Sequence, residues 1–432
     1  MTPRHGHAAA RLVAGLVASL VAFALVVADA RPLAAAPRDA SDLVVGASGK
    51  YRSITAAVAA ARPGDRVIVE AGTYREPTIV IRTPLVTLEG RGWPLLDGES
   101  ERAVLIVAAD DVTVRGLVVA NTGVSNLDDR AGIRVRDARR CLIEHNRVRD
   151  NLFGIYLQRA ADCVVRENDI IAHGLSQTTS GNGIHLWYSP GARIERNHVS
   201  GQRDGIYFEF SPGGVTTGNV SEHSQRYGLH FMFSDSCRYE RNEFRDNTSG
   251  VAVMYSRGVV ISHNRFERSW GSAAYGLLLK EILGGEIRGN VFAGNSTGIY
   301  LEGSSHLVVA DNDFLQNGWA AKVLADAEDN AFTGNRFAGN AFDVSTNSRT
   351  ANSTFDGNSW DAYRGYDLNR DGVGDVPFHP VRLFALIVEQ HPAALLLLRS
   401  PMVGMLDVAE RVFPVLTPDA LVDHHPLMRS PR

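Results

Sequence analysis

The chain has 432 residues, of which 44% are hydrophobic and 21% are charged, and its formal net charge is -4. This composition is that of a globular protein, and we expect no nucleic-acid partner, because such proteins normally carry a basic excess. The 41 glycines indicate turns and strands more than long helices.

The first thirty residues resemble a secretory signal peptide. Arg4 and Arg11 lie at the start of an uncharged run at 12–28. Small residues at Ala28 and Ala30 occupy the two positions that a signal peptidase recognises. An uncleaved anchor is the alternative. We expect removal of residues 1–30 and an exported protein, which would be periplasmic in a Gram-negative bacterium.

Residues 51–76 precede a repeat and are predicted to cap it. A short amphipathic helix from Ser53 to Ala61 is followed by a turn at 63–65 and then by a strand. Terminal units of a repeat protein must cover an otherwise open end, and this segment resembles the opening of many pectate-lyase-like β-helix proteins. The apolar runs at 78–89 and 104–120 supply the first coils.

A unit of about 22 residues then recurs. Each unit has a glycine, apolar residues at positions one and three after it, and an asparagine at position fourteen. The units begin at Gly132, Gly154, Gly183, Gly205, Gly228, Gly250, Gly276 and Gly298, with Ala321 as a weaker ninth. Their asparagines are Asn146, Asn168, Asn197, Asn219, Asn242, Asn264, Asn290, Asn312 and Asn335.

This unit has the length of one coil of a parallel β-helix, in which neighbouring coils lie about 4.8 Å apart. Asparagines in register then form a ladder within a turn. The sequence therefore predicts an all-β, right-handed parallel β-helix over residues 31–362, with an N-terminal helical cap and short helices at the C-terminus.

The three cysteines all fall at position nine of their units. Cys141, Cys163 and Cys237 are thus predicted to share one core stack, in which a buried thiol behaves as a small hydrophobe. Cys141 and Cys163 lie in adjacent coils, although stacked strands rarely provide the dihedral angle of a disulfide. We expect a core role and no catalytic cysteine.

Positions two and four after each glycine are predicted to point outward from one sheet. Met232 and Met254 occupy position four of adjacent coils, so their Cα atoms should lie about 5 Å apart, with His230 about 7 Å from Met232. Two thioethers and an imidazole suit Cu(I). The sequence predicts a candidate copper site of His230, Met232 and Met254, with His185 nearby.

A docking or ligand-stacking face is the alternative interpretation of the same positions, because they are unusually aromatic for an exposed surface. The aromatic candidates for partner docking are Tyr156, Trp187, Tyr207 and Tyr300.

A secreted polysaccharide lyase, hydrolase or epimerase is the competing functional class. Glycoside cleavage needs two acids about 5 to 10 Å apart. Glu209 is the only carboxylate within the central positions, with Asp204 and Asp235 nearby on turns. This sparse set disfavours hydrolysis, so we predict no catalytic residues and keep a polysaccharide-modifying enzyme as the alternative.

Residues 363–432 do not continue the repeat. The stretch "DLNRDGVGD" matches most of a calcium-binding loop, but Phe378 replaces the acid expected at its twelfth position. A weak calcium site and an Asx-rich turn both remain open. The candidate calcium ligands are Asp367, Asn369, Asp371 and Asp375.

Residues 381–413 are apolar but are interrupted by Pro392 and Pro401, so they predict short amphipathic helices and no membrane span. Their apolar side chains either pack on the end of the solenoid or form a docking surface for a membrane partner. The candidates for that surface are Leu395, Leu398, Met402 and Met405.

Several segments together resemble the NosD family of periplasmic β-helix proteins. They are "GNGIHLWYSPGARIERNHVSGQRDGIYFEFS", "YGLHFMFSDSCRYERNEF", "SGVAVMYSR", "YDLNRDGVGDVPF" and "FPVLTPDALVDHHPLM". The resemblance implies a non-enzymatic accessory protein of nitrous-oxide-reductase maturation. It also implies assembly with a membrane ABC transporter, made of a permease and an ATPase, for delivery of copper or sulfur to the reductase.

A copper chaperone and the reductase itself are further partners that this resemblance implies, and the C-terminal segment would dock on the permease. The resemblance supplies no ligand set, so the copper ligands above rest on spacing alone.

Overall fold

The computed structural model describes residues 40–125, 127–174, 176–348, 352–398, 400–413 and 421–429. The predicted signal peptide lies outside these described residues. The chain from Ser41 onward forms one compact unit. The division of that unit at residue 362 into a solenoid and a tail stays a prediction.

The described chain winds into a parallel β-solenoid with three faces, as the repeat predicts. Each strand pairs in parallel with its equivalent in the next coil, for example Met232 with Met254. The first face, which carries the predicted copper site, contains Ile79–Ile81, Leu105–Val107, Ala131–Arg136, Phe153–Gln158, Asn182–Trp187, Asp204–Glu209, Tyr227–Met232, Thr297–Glu302, Trp319–Val323 and Phe342–Ser345.

The second face continues from the first after a tight turn. Two long strands, Ser249–Ser262 and Tyr275–Arg288, run through that turn and belong to both faces. The other strands of the second face are Asp42–Val45, Arg66–Val69, Thr87–Gly90, Thr113–Arg115, Leu142–Glu144, Val164–Arg166, Arg193–Glu195, Val215–Thr217, Arg238–Glu240, Ser305–Ala310, Ala331–Thr333 and Thr354–Asp356.

The third face is a separate sheet of short strands that closes each coil. Its strands are Thr73–Tyr74, Leu95–Asp97, Val118–Ala120, Arg147–Arg149, Asp169–Ile171, His198–Ser200, Val220–Glu222, Glu243–Arg245, Arg265–Glu267, Val291–Ala293, Asp313–Leu315, Arg336–Ala338 and Ser359–Trp360.

A short helix, α1 (Ile54–Ala60), packs at the N-terminal end in the position that the sequence predicts. The hydroxyl of Ser53 caps it by accepting a hydrogen bond from the backbone N–H of Ala56 at 3.2 Å. Ile54, Ala57 and Val58 are buried, so the apolar side of the helix covers the first coils.

The asparagine ladder lies buried in the turn between the second and third faces. The side-chain oxygen of Asn168 accepts from both the backbone N–H and the side-chain amide of Asn146, each at 3.0 Å. Asn197 accepts from Asn168 in the same way. Because water does not reach this buried turn, the asparagine side chains provide the hydrogen-bond partners that its backbone groups need.

The solenoid interior is filled by the side chains at positions one and three, as predicted. Leu229 and Phe231 are fully buried, and the Phe231 ring stacks on Phe208 with centroids 4.1 Å apart. The three cysteines are buried and unbonded, which confirms their core role.

Three short helical segments follow the last coil: α2 (Leu383–Gln390), a 3-10 helix (Pro392–Leu397) and α3 (Pro401–Val412). Phe384, Ala385 and Val388 of α2 pack on Phe342 at the end of the first face. Within the described residues, no helix is both long and apolar enough to cross a membrane.

Candidate functional site

The outward positions of the first face form two rows, at positions two and four after each glycine. His185, Tyr207 and the position-four residues Trp187, Met232 and Met254 are partly buried. Tyr300 is also partly buried.

Tyr156 and His230 are almost fully buried, at 4% and 5% exposure, whereas the sequence placed them on an exposed wall. The reason is an aromatic residue just before the glycine in each of these two coils. Phe153 lies 5.5 Å from Tyr156, and Tyr227 lies 4.9 Å from His230, so these rings cover position two.

Position two forms a continuous column of rings across four coils. The His185 ring contacts Tyr156 edge-on at 4.5 Å and stacks on Tyr207 at 4.9 Å, and the Tyr207 ring contacts His230 edge-on at 5.0 Å. Burial raises the pKa of Tyr156 and Tyr207 to about 12, so both hydroxyls remain protonated.

The two histidines of this column are neutral. Burial lowers the pKa of His185 to about 3 and that of His230 to about 4; for His230, burial outweighs the opposing effect of Asp204. A neutral imidazole has one nitrogen that donates and one that accepts, and the hydrogen-bond partners determine which is which.

Arg226 fixes the protonation of His230. Its Nη2 lies 3.3 Å from Nδ1 of His230, and a guanidinium can only donate, so Nδ1 accepts and Nε2 carries the proton. Nε2 is buried, and no hydrogen-bond partner for it lies among the described residues. His230 therefore presents an N–H group where a metal would need a lone pair.

Asn182 fixes His185 in the same form. The side-chain oxygen of Asn182 accepts from Nη2 of Arg203 at 3.1 Å, so its amide nitrogen is the group that donates to Nδ1 of His185 at 2.8 Å. Both histidines thus have the proton on Nε2 and serve as members of the ring column.

The two methionines are brought together as predicted. Met232 and Met254 are Cα partners in adjacent strands, and both side chains are partly buried. The hydroxyl of Tyr207 donates to the sulfur of Met232 at 3.6 Å. A thioether has a second lone pair, so this contact orients the sulfur and leaves it able to bind a soft metal.

The charges beside the methionines favour a cation. Glu209 is the Cα partner of Met232 on the preceding coil. Lys280 is the partner of Met254 on the following coil, but its ammonium group lies 2.6 Å from a carboxylate oxygen of Glu302. The positive charge of Lys280 is therefore compensated by Glu302, whereas Glu209 adds a negative charge beside Met232.

A ladder of four aromatic rings, three of them exposed, borders this site and was missed by the sequence reasoning. Tyr188, Phe210, Phe233 and Tyr255 stack with centroids 4.8, 5.1 and 5.1 Å apart. Each has a φ of 48–52°, a left-handed conformation that bulky side chains rarely adopt. The corresponding sequence signal is an aromatic residue five positions after the glycine in each of four successive repeat units. The period-two alternation does not assign this position to either face of the strand.

The ladder is confined to the coils that carry Trp187, Glu209, Met232 and Met254. In the flanking coils the same turn position holds Asp137, Arg159, Glu281 and Gly303. We call Tyr188, Phe210, Phe233 and Tyr255 the aromatic ladder below.

The structure separates the four predicted docking residues of the tail. Leu398 packs against the Phe342 cluster. Leu395, Met402 and Met405 are exposed at 36%, 43% and 65%. The exposed apolar side chains that accompany them are Leu396, Leu397, Val408, Val412 and Phe413.

The predicted calcium loop folds as an Asx-rich turn. Asp367 accepts hydrogen bonds from the backbone N–H groups of Asp371 and Gly372, at 3.2 and 2.9 Å, and Asp375 accepts from Leu368 at 2.6 Å. Among the described residues, no group of three or more His, Cys, Asp or Glu side chains is placed to hold a metal ion. The calcium hypothesis thus gains no support.

The carboxylates considered for sugar cleavage are not arranged as a catalytic pair. Asp204 is fully buried and ion-paired with Arg226, whose Nε lies 2.8 Å from Oδ1. Asp204 is thus occupied by this ion pair, which leaves Glu209 as the carboxylate beside the methionines.

Comparison with known proteins connects this arrangement to a family. A family model described as "Periplasmic copper-binding protein (NosD)" matches residues 172–367, which include both methionines, the aromatic ladder and all of the ring column except Tyr156. A protein of Stutzerimonas stutzeri named "Probable ABC transporter binding protein NosD" is 33% identical over 358 residues, covering 78% of this chain and 81% of the relative.

A protein of the same name from Pseudomonas aeruginosa is 34% identical over 355 residues, covering 78% of this chain and 82% of the relative. Among solved structures, the catalytic domain of a GH87 alpha-1,3-glucanase in complex with nigerose matches with a TM-score of 0.54. It is 12% identical, with 74% of this chain and 68% of that chain covered. This likeness shows a shared solenoid fold alone.

Proposed function

Because the chain belongs to the NosD family, we propose that it is a periplasmic accessory protein without enzymatic activity. It would serve an ABC-transporter-linked system that delivers copper or sulfur for the copper centres of nitrous oxide reductase. The observation that carries this proposal is 33% identity over 81% of a relative named for ABC transporter binding.

Copper is the cargo that the first face fits best. The family model is described as copper-binding, and Met232 and Met254 place two soft donors on adjacent strands. Thioethers favour Cu(I) over harder cations. Glu209 lies beside the pair and would offset part of the charge of a bound ion.

We assign His230 a supporting role. To bind copper through Nε2, it would have to move its proton to Nδ1 and give up the bond from Arg226. The two thioethers need no such change. His230 instead packs against Tyr207, which donates to the sulfur of Met232, and so helps to fix that sulfur.

The aromatic ladder would contact the proteins that exchange copper at this site, namely a copper chaperone and the reductase. Stacked rings that are exposed at 41–48% (Tyr188, Phe233 and Tyr255) form an apolar rim beside the methionines. Surfaces of this kind mark sites of protein association.

The tail would attach the solenoid to the transporter permease and its ATPase. Met405, Val408 and Val412 lie three and four residues apart along α3 and are all more than half exposed, so they share one apolar face. A helix packed on its own protein would bury that face.

The test is an anaerobic Cu(I) titration of the exported form against a competing chelator. Met232→Leu/Met254→Leu keeps the size and hydrophobicity of both side chains and removes both sulfurs, so we expect affinity to fall more than tenfold. Met428→Leu, which removes a thioether exposed elsewhere on the surface, is the matched control. Equal affinity in all three proteins would exclude the methionine pair as the copper site.

A further inference from the structure

The methionines of this chain lie outside its core. The sequence has six, and five of them are among the described residues. Methionine is a residue that protein cores usually bury. All five described methionines nevertheless keep part of their side chain exposed, and they are Met232, Met254, Met402, Met405 and Met428. Other aliphatic and aromatic side chains fill the described core, so core packing does not explain where the methionines occur.

Two of these methionines form a pair on α3. Met402 and Met405 are three residues apart in a regular helix, and residues at this spacing have Cβ atoms about 5–6 Å apart on one side of the helix. Both side chains are exposed. A methionine side chain is unbranched and has three rotatable bonds, so two thioethers at this spacing can reach one common ion.

The opposite side of α3 holds the helix on the rest of the protein. Val403 and Leu406 pack against the cluster around Phe342. Near the end of the helix, Glu410 accepts a hydrogen bond from the backbone N–H of Leu383 at 2.7 Å. The two thioethers therefore project from an anchored helix, and an ion that binds them has to order only two side chains.

Gly404, between the two methionines, leaves the surface of the helix open beside them. It is exposed, and among the described residues no side chain or neighbouring segment lies within 4 Å of the place where its Cβ atom would be. Glycine destabilises a helix relative to alanine, and packing within this chain does not require it here. Because Gly404 lies one turn before Val408, it gives a partner close access to the side of α3 that also carries Met405.

The α3 pair repeats the arrangement of Met232 and Met254 in a more open form. On the first face, the sulfur of Met232 also accepts from the hydroxyl of Tyr207, and both methionines are partly buried. The α3 thioethers lie on the surface that we assign to transporter docking. An ion held there by two sulfurs keeps coordination positions open on its outer side, where a donor from a partner can bind. This arrangement suits exchange of an ion more than its storage.

We propose that Met402 and Met405 form a second Cu(I) site, at which copper passes between this protein and the transporter. Thioethers are soft ligands that select Cu(I). The step is an exchange of ligands: a donor of the partner forms a bond to the ion, a sulfur–copper bond of the pair breaks, and the copper remains Cu(I). This inference rests on the proposed function for its cargo and its partner, and it adds a metal site to the docking face.

The first test is an anaerobic Cu(I) titration of the full exported protein in competition with bicinchoninate, which counts sites. We expect two equivalents, of which the α3 equivalent is the weaker because its sulfurs are exposed. Met402→Leu/Met405→Leu keeps the size of both side chains and should bind one equivalent, whereas Met405→Leu alone should weaken the second equivalent about tenfold. Met428→Leu, the matched control on the tail, should keep both equivalents.

A second measurement locates the ion on the folded protein. Ag(I) shares the preference of Cu(I) for soft sulfur ligands and is suited to NMR because it is diamagnetic. The protein is labelled with ¹³C in its methionine methyl groups, and single Met→Leu variants assign the resonances. We expect the resonances of Met402 and Met405 to shift together with the second equivalent of Ag(I), while that of Met428 stays in place. Met232→Leu/Met254→Leu should retain this paired shift.

The outcomes separate the α3 site from the proposed function. One equivalent in the unmodified protein, with unmoved resonances of Met402 and Met405, would overturn the α3 site and leave the first-face site in place. The two residues would then be adaptable apolar contacts of the docking surface. Two equivalents in Met402→Leu/Met405→Leu would overturn the α3 site as well. Absence of Cu(I) binding by the unmodified protein would overturn the copper cargo of the proposed function itself.

Discussion

Asp423 occupies the place of the next asparagine after Asn358 in the ladder. Its Oδ2 accepts from the backbone N–H and the side-chain amide of Asn358, at 3.0 and 3.1 Å, as each asparagine does for the one before it. The same oxygen accepts from the indole of Trp360 at 2.9 Å. Residues near the C-terminus thus complete the last coil of the solenoid.

We predict that Asp423→Ala destabilises the C-terminal end of the protein by about 3 kcal/mol, because it leaves buried donors of Asn358 and Trp360 unpaired. Asp423→Asn should cost less than Asp423→Ala, since the amide oxygen reproduces the ladder contact. Its NH2 group cannot accept the bonds that Oδ1 takes from the backbone N–H groups of Gly357 and His425, each at 3.1 Å, so part of the loss remains. Hydrogen exchange of the last coil and of residues 421–428 measures the effect. Equal exchange rates in both variants would contradict a closing role for this carboxylate.

The solenoid was predictable because its coils repeat the same local rule. Glycine marks each strand, positions one and three face inward, and asparagine fills the same turn, so a single chain carries several copies of the same signal. The contact of Asp423 with Asn358 was not predictable, because it joins residues 65 positions apart in a segment without the repeat.

A second prediction concerns the ligands of copper. His230→Gln should change Cu(I) affinity less than threefold, whereas Met254→Leu alone should lower it about tenfold, because only the thioether has a lone pair available. The pKa of His230 is about 4, so its protonation does not change between pH 6 and 8. Affinity should therefore be constant over that range.

Competition titrations at pH 6, 7 and 8 measure this directly. A decline in affinity toward pH 6 would show that a titrating imidazole takes part in binding. A large loss in His230→Gln would place the imidazole among the ligands and contradict the protonation that we derive from Arg226.

A third prediction separates the aromatic ladder from the core beneath it. Phe233→Asn should change the free energy of unfolding by less than about 1 kcal/mol, because asparagine tolerates the left-handed backbone that phenylalanine strains. Phe231→Ala, two residues earlier and fully buried, should cost about 3–5 kcal/mol. Urea unfolding of the two variants tests this, and a loss of similar size in both would mean that the ladder serves stability.

The site was predicted only in part, for a physical reason. The alternation along a strand predicts which side chains point outward from the sheet, and it correctly placed Met232 and Met254 on the same side. It does not state what covers them. The burial of His230 arises from Tyr207 on the preceding coil and from Tyr227 three residues earlier, so it depends on the size of neighbouring rings.

The fourth prediction concerns pH and the third face, where His198 lies between two carboxylates. Its Nδ1 is 2.8 Å from Asp169 and its Nε2 is 3.0 Å from Glu222, so both ring nitrogens donate and the ring is protonated. Burial acts to lower the pKa of His198, but the two hydrogen bonds outweigh it and the net pKa lies above its usual value. Arg149 and Arg245 bind the same carboxylates from the neighbouring coils.

A group whose pKa is raised in the folded state stabilises that state. This contribution is fully present when the pH lies below the pKa of the unfolded state, 6.5, and it is lost as the pH rises through the pKa of the folded state. The stability of the unmodified protein relative to His198→Gln should therefore decrease from pH 6 to pH 8.5. The decrease should not exceed about 1 kcal/mol, because the ring is 39% exposed and solvent screens the pair.

Urea unfolding at pH 6, 7 and 8.5 measures this difference, with His173→Gln as control, since His173 is more exposed and contacts a single carboxylate, that of Asp150. If the stability advantage of the unmodified protein over His198→Gln instead increased with pH, the prediction would be contradicted. The folded protein would then favour the neutral ring. The predicted direction follows from geometry alone, because two acceptors can be satisfied by one imidazole only when both of its nitrogens carry a proton.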